Sequence, residues 1–324
     1  MVQAKTLFVI TVATARLIFP NMFSTPGTSS NFQVPTARSL TMELSCSAPA
    51  GETAKASVKT PEELRAGEKV DLKIDPAGPP KPEQDATLDS NRKVTIMSYW
   101  GGGEAVPDGQ PKTLEPGAKP ESTSSAVESP YKSYAYWPGD DAKSITEDAS
   151  AIGTYSLTTN FCGRASVTLG PDQEFMAPIN ITMADKYDMT KPIKIAWKPV
   201  KNAVGYILYA YGGNANTTIN WTSSAKPNPD PAMQYSALTT DQLDKYVRDG
   251  IVLPATATSC TIPAGIFKDA DSVMLAMTAI GKDKVQSKDD VETQVVIRST
   301  ANMVLHTSPY RYPMNTGEKN KDRK

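Results

Sequence analysis

The chain has 324 residues, 39% of them hydrophobic, and 34 basic side chains against 35 acidic ones leave a net charge of −1. That length accommodates two ordinary domains, each with its own core. The near-neutral balance excludes a general field that would recruit nucleic acid or an anionic membrane. With 26 Pro and 20 Gly breaking the chain into short runs, the pattern is that of an all-β protein.

Residues 1–23 read as a signal peptide. Lys5 precedes the apolar run from Leu7 to Ala13, and Ala13-Thr-Ala15 offers a small-x-small cleavage pattern. The run is far below the roughly 20 residues that span a bilayer. Arg16 interrupts the apolar continuation Leu17-Ile-Phe19, so a buried N-terminal strand is the competing reading. Export to the periplasm, outer surface or medium follows from the first reading, and a cytoplasmic location from the second.

Residues 24–65 are rich in Ser, Thr, Pro, Ala and Gly, the composition of a flexible tether. Cys46, preceded by Met42-Glu-Leu-Ser45, has only a loose likeness to a lipoprotein acylation site. Three cysteines, Cys46, Cys162 and Cys260, allow one disulfide and a leftover thiol in an oxidising compartment, and spacing does not select the pair.

An N-terminal β domain is predicted over 66–186. Val70, Leu72 and Ile74 share one face of a first strand, and Lys93 to Trp100 form a second that ends in Gly101-Gly-Gly103. Strand patterns return at 153–159, 165–169 and 179–183, after a long loop, 103–150. In that loop Tyr131, Tyr134, Tyr136, Trp137 and Asp140 form the candidate ligand-binding surface. Aromatic rings stack on sugar faces, and carboxylates accept sugar hydroxyls or bind calcium. The same rings can instead fold back as a small core for the loop. Glu121, Glu128 and Asp140 are the loop carboxylates from which a hydrolase would need an acid/base pair. Nothing in their spacing argues for one.

The region 187–302 is the clearest. Ile193, Ile195 and Trp197 alternate on one strand, and Tyr206, Leu208 and Ala210 on the next. Further strands are predicted at 218–222, 259–262, 273–280 and 293–298. Between 218–222 and 259–262 sits a short helix capped by Thr239 with Gln242, stapled by Leu238 and Leu243, and stopped by Gly250. Its inward stripe is Leu243, Tyr246 and Val247. Residues 303–324 complete the chain as a polar tail.

Through the Trp197 strand, Asn202-Ala-Val-Gly-Tyr206 and Thr258-Ser-Cys-Thr-Ile-Pro-Ala-Gly-Ile266, this region resembles a fibronectin type III module. The resemblance implies a β-sandwich in which Trp197 and Tyr206 share one core; the helical insert at about 226–252 departs from the family. The whole chain is similar to a group of uncharacterised exported bacterial proteins, on Tyr99-Trp-Gly-Gly-Gly-Glu104, Gly109-Gln-Pro111 and Trp221-Thr-Ser-Ser224. That group carries a Cys where this chain has Gly102. The resemblance therefore removes the partner expected for Cys260 and makes Cys162 the substitute, a Cys162–Cys260 disulfide.

Little else points to chemistry. His306 is the only histidine, which excludes multi-histidine metal sites, and it lies past the last predicted strand. Tyr99 to Glu104 lacks the Lys-Ser/Thr of a P-loop and reads as a strand end turning sharply. Asp269 to Ser272 and Asp283 to Asp290 read as solvated turns without calcium-loop spacing. No catalytic residue, cofactor or metal is predicted. The expectation is a non-enzymatic exported envelope or surface protein, binding a protein or glycan partner through its β modules. The alternatives are a carbohydrate-binding protein using 131–141 and a carboxylate-based hydrolase.

Overall fold

The computed structural model describes residues 6–18, 36–75, 93–118, 129–139, 145–182, 187–227, 229, 233 and 235–307. The first half contributes β1 (Thr6–Ile18), β2 (Ala37–Cys46), β3 (Ala56–Lys59), β4 (Lys69–Asp71), β5 (Lys73–Asp75), β6 (Thr95–Trp100), β7 (Lys112–Leu114) and β8 (Ser133–Trp137). β9 (Gly153–Thr159), β10 (Ala165–Leu169), β11 (Ile181–Thr182), β12 (Ile193–Trp197), β13 (Gly205–Gly213) and β14 (Thr217–Thr222) lead to the helix α1 (Thr240–Arg248). β15 (Leu253–Pro254), β16 (Ser259–Ile262), β17 (Ser272–Ile280), β18 (Lys284–Lys288) and β19 (Val291–Thr307) are the remaining strands among the described residues. The protein is all-β, as its punctuation by Pro and Gly predicts.

One large sheet runs β5-β8-β2-β1-β19-β17-β13-β14-β6-β7, with β15 attached to β13 and β18 to β19. Two small sheets, β10-β9-β3-β4 and β11-β12-β16, complete the layers. Inward side chains from all three sheets, including Phe8, Tyr155, Val167, Ile195, Trp197 and Trp221, form one core cluster. Trp197 and Tyr206 pack there with centroids 5.3 Å apart, and the Tyr206 hydroxyl accepts the Val200 N–H at 3.0 Å.

The apolar N-terminal run lies in the middle of this architecture. β1 pairs in parallel with β19 from Thr6 opposite Val291 to Ile18 opposite Met303, and antiparallel with β2 on its other side. Phe8, Ile10 and Val12 are fully buried. A strand between two neighbours with an apolar inner face is part of the core. Residues 6–18 thus take the form of the buried strand that was the competing reading of this segment. The tether expected at 24–65 also contains β2 and β3, and Leu40, Met42 and Leu44 on β2 are buried. Alternation at every second residue, masked by Ser and Thr on the outward side, makes this a strand.

The stretch 66–186 does not build a sheet by itself. β6 pairs in parallel with β14, from Thr95 opposite Thr217 to Trp100 opposite Thr222, and β11 pairs with β12. The run predicted as one strand over Lys69 to Ile74 divides at Leu72: β4 joins β3, and β5 joins β8 in the large sheet. β10 ends the four-stranded sheet, and its outer carbonyls are occupied. Lys284 Nζ donates to Thr168 at 3.0 Å and Gln286 Nε2 donates to Ser166 at 2.9 Å, which blunts an otherwise open edge.

The disulfide joins Cys46, at the end of β2, to Cys162, just past β9, with Cα atoms 6.1 Å apart. It ties the large sheet to the four-stranded one. The expected Cys162–Cys260 pair is therefore corrected: Cys260 is a buried free thiol. Its Sγ lies 2.9 Å from where a Cβ on Gly102 would stand. Across a disulfide, Cβ and the far sulfur are about 3 Å apart, so position 102 has the geometry of a missing partner.

The glycines after β6 form a corner. Gly101 has φ 84° and Gly103 φ 157°, the region that glycine tolerates. The Trp221 indole N–H donates to the Gly101 carbonyl at 2.9 Å, and Gly103 N–H then donates to Thr261 on β16 at 3.0 Å. The chain thus passes from the large sheet to the edge of a small one.

The insert carrying α1 folds onto the outer face of the large sheet. Thr239 and Gln242 form the predicted capping box, and Gly250 adopts φ 69° just past the helix. Met233, Leu238 and Val252 join Ile207 and Ile280 in a second, smaller core, with Leu243, Tyr246 and Val247 half-buried against it.

Candidate functional site

Strand alternation decides the fate of the aromatic residues. Tyr134, Tyr136 and Trp137 lie on β8, a strand between β2 and β5, and not on a loop. Successive side chains on a strand point to opposite faces. Trp137, opposite Met42, therefore joins the main core beside Ala135, while Tyr134 and Tyr136 face outward. Their rings stack with centroids 5.6 Å apart and planes at 22°. Tyr134 and Trp137 are each only 9% exposed, so the three rings do not make an open platform for a sugar. Asp140, Glu121 and Glu128 lie outside the described residues.

Cross-strand register assembles neighbours around the two outward tyrosines that are far away in sequence. One row runs Lys73, Tyr136, Glu43, Val9, Gln294 across five strands. The next runs Asp75, Tyr134, Ser45, Leu7, Glu292. Residues directly opposite one another in adjacent strands are in side-chain contact range. The Lys73 ammonium sits 5.7 Å from the Tyr136 ring centroid, and Gln294 Nε2 donates to Glu292 at 2.6 Å. Further along β1, Thr11, Ala13, Ala15 and Leu17 continue the same outward column.

The electrostatics keep the phenols protonated. Burial, followed by the adjacent Glu43 carboxylate that accepts its hydrogen bond, pushes the Tyr134 hydroxyl well above the ordinary tyrosine range. Burial and the Glu292 charge raise Tyr131 as well. At neutral pH these hydroxyls can donate and cannot serve as bases.

The face therefore offers a half-buried apolar and aromatic surface bordered by carboxylates and an ammonium. Leu7, Val9, Ala13, Ala15, Leu17, Tyr134 and Tyr136 belong to neither core cluster. Among the described residues, no group of three or more His, Cys, Asp and Glu side chains could hold a metal ion. No helix among them is long and apolar enough to cross a membrane.

Two other predicted positions change character. His306 lies within β19, half-buried and opposite Val273, and not in a tail, because β19 extends to Thr307. Asp283 is not in a solvated turn: it is buried and 2.7 Å from the buried Arg298. Glu43, Lys73, Asp75 and the outward residues of β1 were absent from the predicted site. The alternation in 37–46 was the available signal for β2. Nothing local placed it against β8.

No protein-family model, no curated protein and no solved structure matches this chain.

Proposed function

We propose that the protein is a non-enzymatic exported surface or envelope component that binds a partner through the outer face of its large sheet. The observation that carries this reading is the pair of cross-strand rows, which hold Tyr136, Val9 and Leu7 half-buried outside both cores. Contiguous apolar surface rimmed by charge is the usual composition of an interaction site. The Cys46–Cys162 bridge supports an oxidising compartment. The Trp197–Tyr206 packing supports the fibronectin-type reading of the later strands.

The test is a photo-cross-linking amino acid placed singly at Val9, Tyr136 and, as control, the exposed Lys201, in cells that make the protein. A discrete adduct at the first two positions and none at Lys201 is expected. Equal labelling at all three, or none at Val9 and Tyr136, overturns the reading. An alkaline-phosphatase fusion reports export independently.

The carbohydrate alternative now rests on Tyr136, the half-buried ring beside Lys73. A glycan array comparing the wild type with Tyr136→Ala tests it: retained binding in the variant removes that support.

A further inference from the structure

Residues three, four and seven apart on a helix share one face. On α1 one such face is Thr240, Leu243, Asp244, Val247 and Arg248, of which Leu243 and Val247 are half-buried and the other three exposed. An amphipathic helix ordinarily buries such a stripe, yet no residue of α1 is fully buried. Beside Leu243 and Val247 lies an open cleft of about 500 Å³, lined also by Val204 and Leu238. That volume falls within the range of small-molecule sites, roughly 300–1,000 Å³.

Four charged side chains line the cleft, and two of them are paired. Asp283, at its wall, is neutralised by Arg298. Lys282 lies at the rim and pairs with Asp172 outside at 2.9 Å. Arg248 is exposed and makes no ion pair among the described residues. Asp244, one turn earlier on the helix, likewise makes no ion pair among the described residues.

We propose that this cleft binds a small amphipathic carboxylate. The apolar chain lies against Val204, Leu238, Leu243 and Val247, and the head group takes the fork of N–H donors on Arg248. Lys282 adds attraction at the opposite rim, and Asp244 opposes the head group. The site lies on the insert and is independent of the outer-face reading.

The full-length protein, isotopically labelled, is titrated with sodium octanoate and with 1-octanol while amide shifts are followed by NMR. Octanoate is expected to shift Val204, Leu243 and Val247 at sub-millimolar concentration. Arg248→Gln is expected to weaken octanoate about tenfold, the scale of one charge-assisted contact, and to leave 1-octanol unchanged. Asp244→Asn is expected to tighten octanoate. Val247→Trp, which fills the cleft, is expected to abolish both. Shifts elsewhere, no binding, or unchanged octanoate affinity in Arg248→Gln overturns the proposal. Arg248 is exposed, so this variant decides the matter even where Val247→Trp fails to fold.

Discussion

Arg298 Nη1 lies 2.7 Å from Asp283 Oδ1 with both side chains almost completely buried, and this pair fastens the helical insert to the sheet. The guanidinium also donates to the carbonyls of Met233 and Ser236 at 3.1 and 2.8 Å, both in the insert. Asp283 accepts the Leu238 N–H at 2.9 Å and the Ile297 N–H at 2.8 Å, one from the insert and one from β19. Removing one member of a buried pair leaves an uncompensated charge. Arg298→Met is therefore expected to lower unfolding free energy by about 3–5 kcal/mol, measured by urea denaturation. A loss below about 1 kcal/mol would mean the insert is held by its apolar contacts alone.

The disulfide closes a sequence separation of 116 residues and links two sheets. A loop of that length is expected to lower stability by about 4–5 kcal/mol when opened, if restriction of the unfolded chain dominates. Reduction with dithiothreitol and the variant Cys46→Ala/Cys162→Ala should shift the urea midpoint alike. Unchanged midpoints would contradict the bridge.

Cys260 should be silent to thiol reagents in the folded protein. Burial pushes its pKa up to about 11 from 9.0. The folded value is the higher one. Its contribution, roughly 2–3 kcal/mol, is present in full below pH 9 and is lost as pH rises from there through about 11. Modification of the native protein should be slow at pH 8 and complete in denaturant. Gly102→Cys should close a second disulfide, because its Cβ would stand 2.9 Å from the Cys260 sulfur. Mass spectrometry under non-reducing conditions reads the loss of two hydrogens, and two titratable thiols in the denatured variant would refute the geometry.

Trp137 and Tyr136 are adjacent in sequence and opposite in consequence. Trp137→Ala empties core volume and is expected to cost about 3–5 kcal/mol. Tyr136→Ala removes an outward ring and should cost about 1 kcal/mol or less. Thermal unfolding of both variants makes the comparison. Equal losses would make Tyr136 a packing residue and weaken its candidacy as a contact.

Phe8 tests the place of β1. It is fully buried between β2 and β19, so Phe8→Ala should cost about 3–5 kcal/mol in urea unfolding. A chain starting at Arg16 also loses Ile10 and Val12, and should show neither a cooperative transition nor dispersed amide resonances. A stable, cooperative truncated protein would show that β1 is dispensable.

The residues by themselves determined what depends on neighbours in sequence. Every-second-residue alternation marked β12 and β13, and Thr239, Gln242 and Gly250 marked the start and stop of α1. Each of these signals spans a few residues and acts through local backbone geometry. Which strands became neighbours was not local information. β1 pairs with a strand some 285 positions away (Thr6 opposite Val291), and its apolar inner face suits a leader and a core strand equally well. Glu43, Lys73 and Tyr136 share a row only because β2, β8 and β5 stack in register. The partner of Cys46 and the burial of Asp283 were set in the same way. Chain packing brings distant segments together, and burial then fixes which sulfur can bond and which charge must be paired.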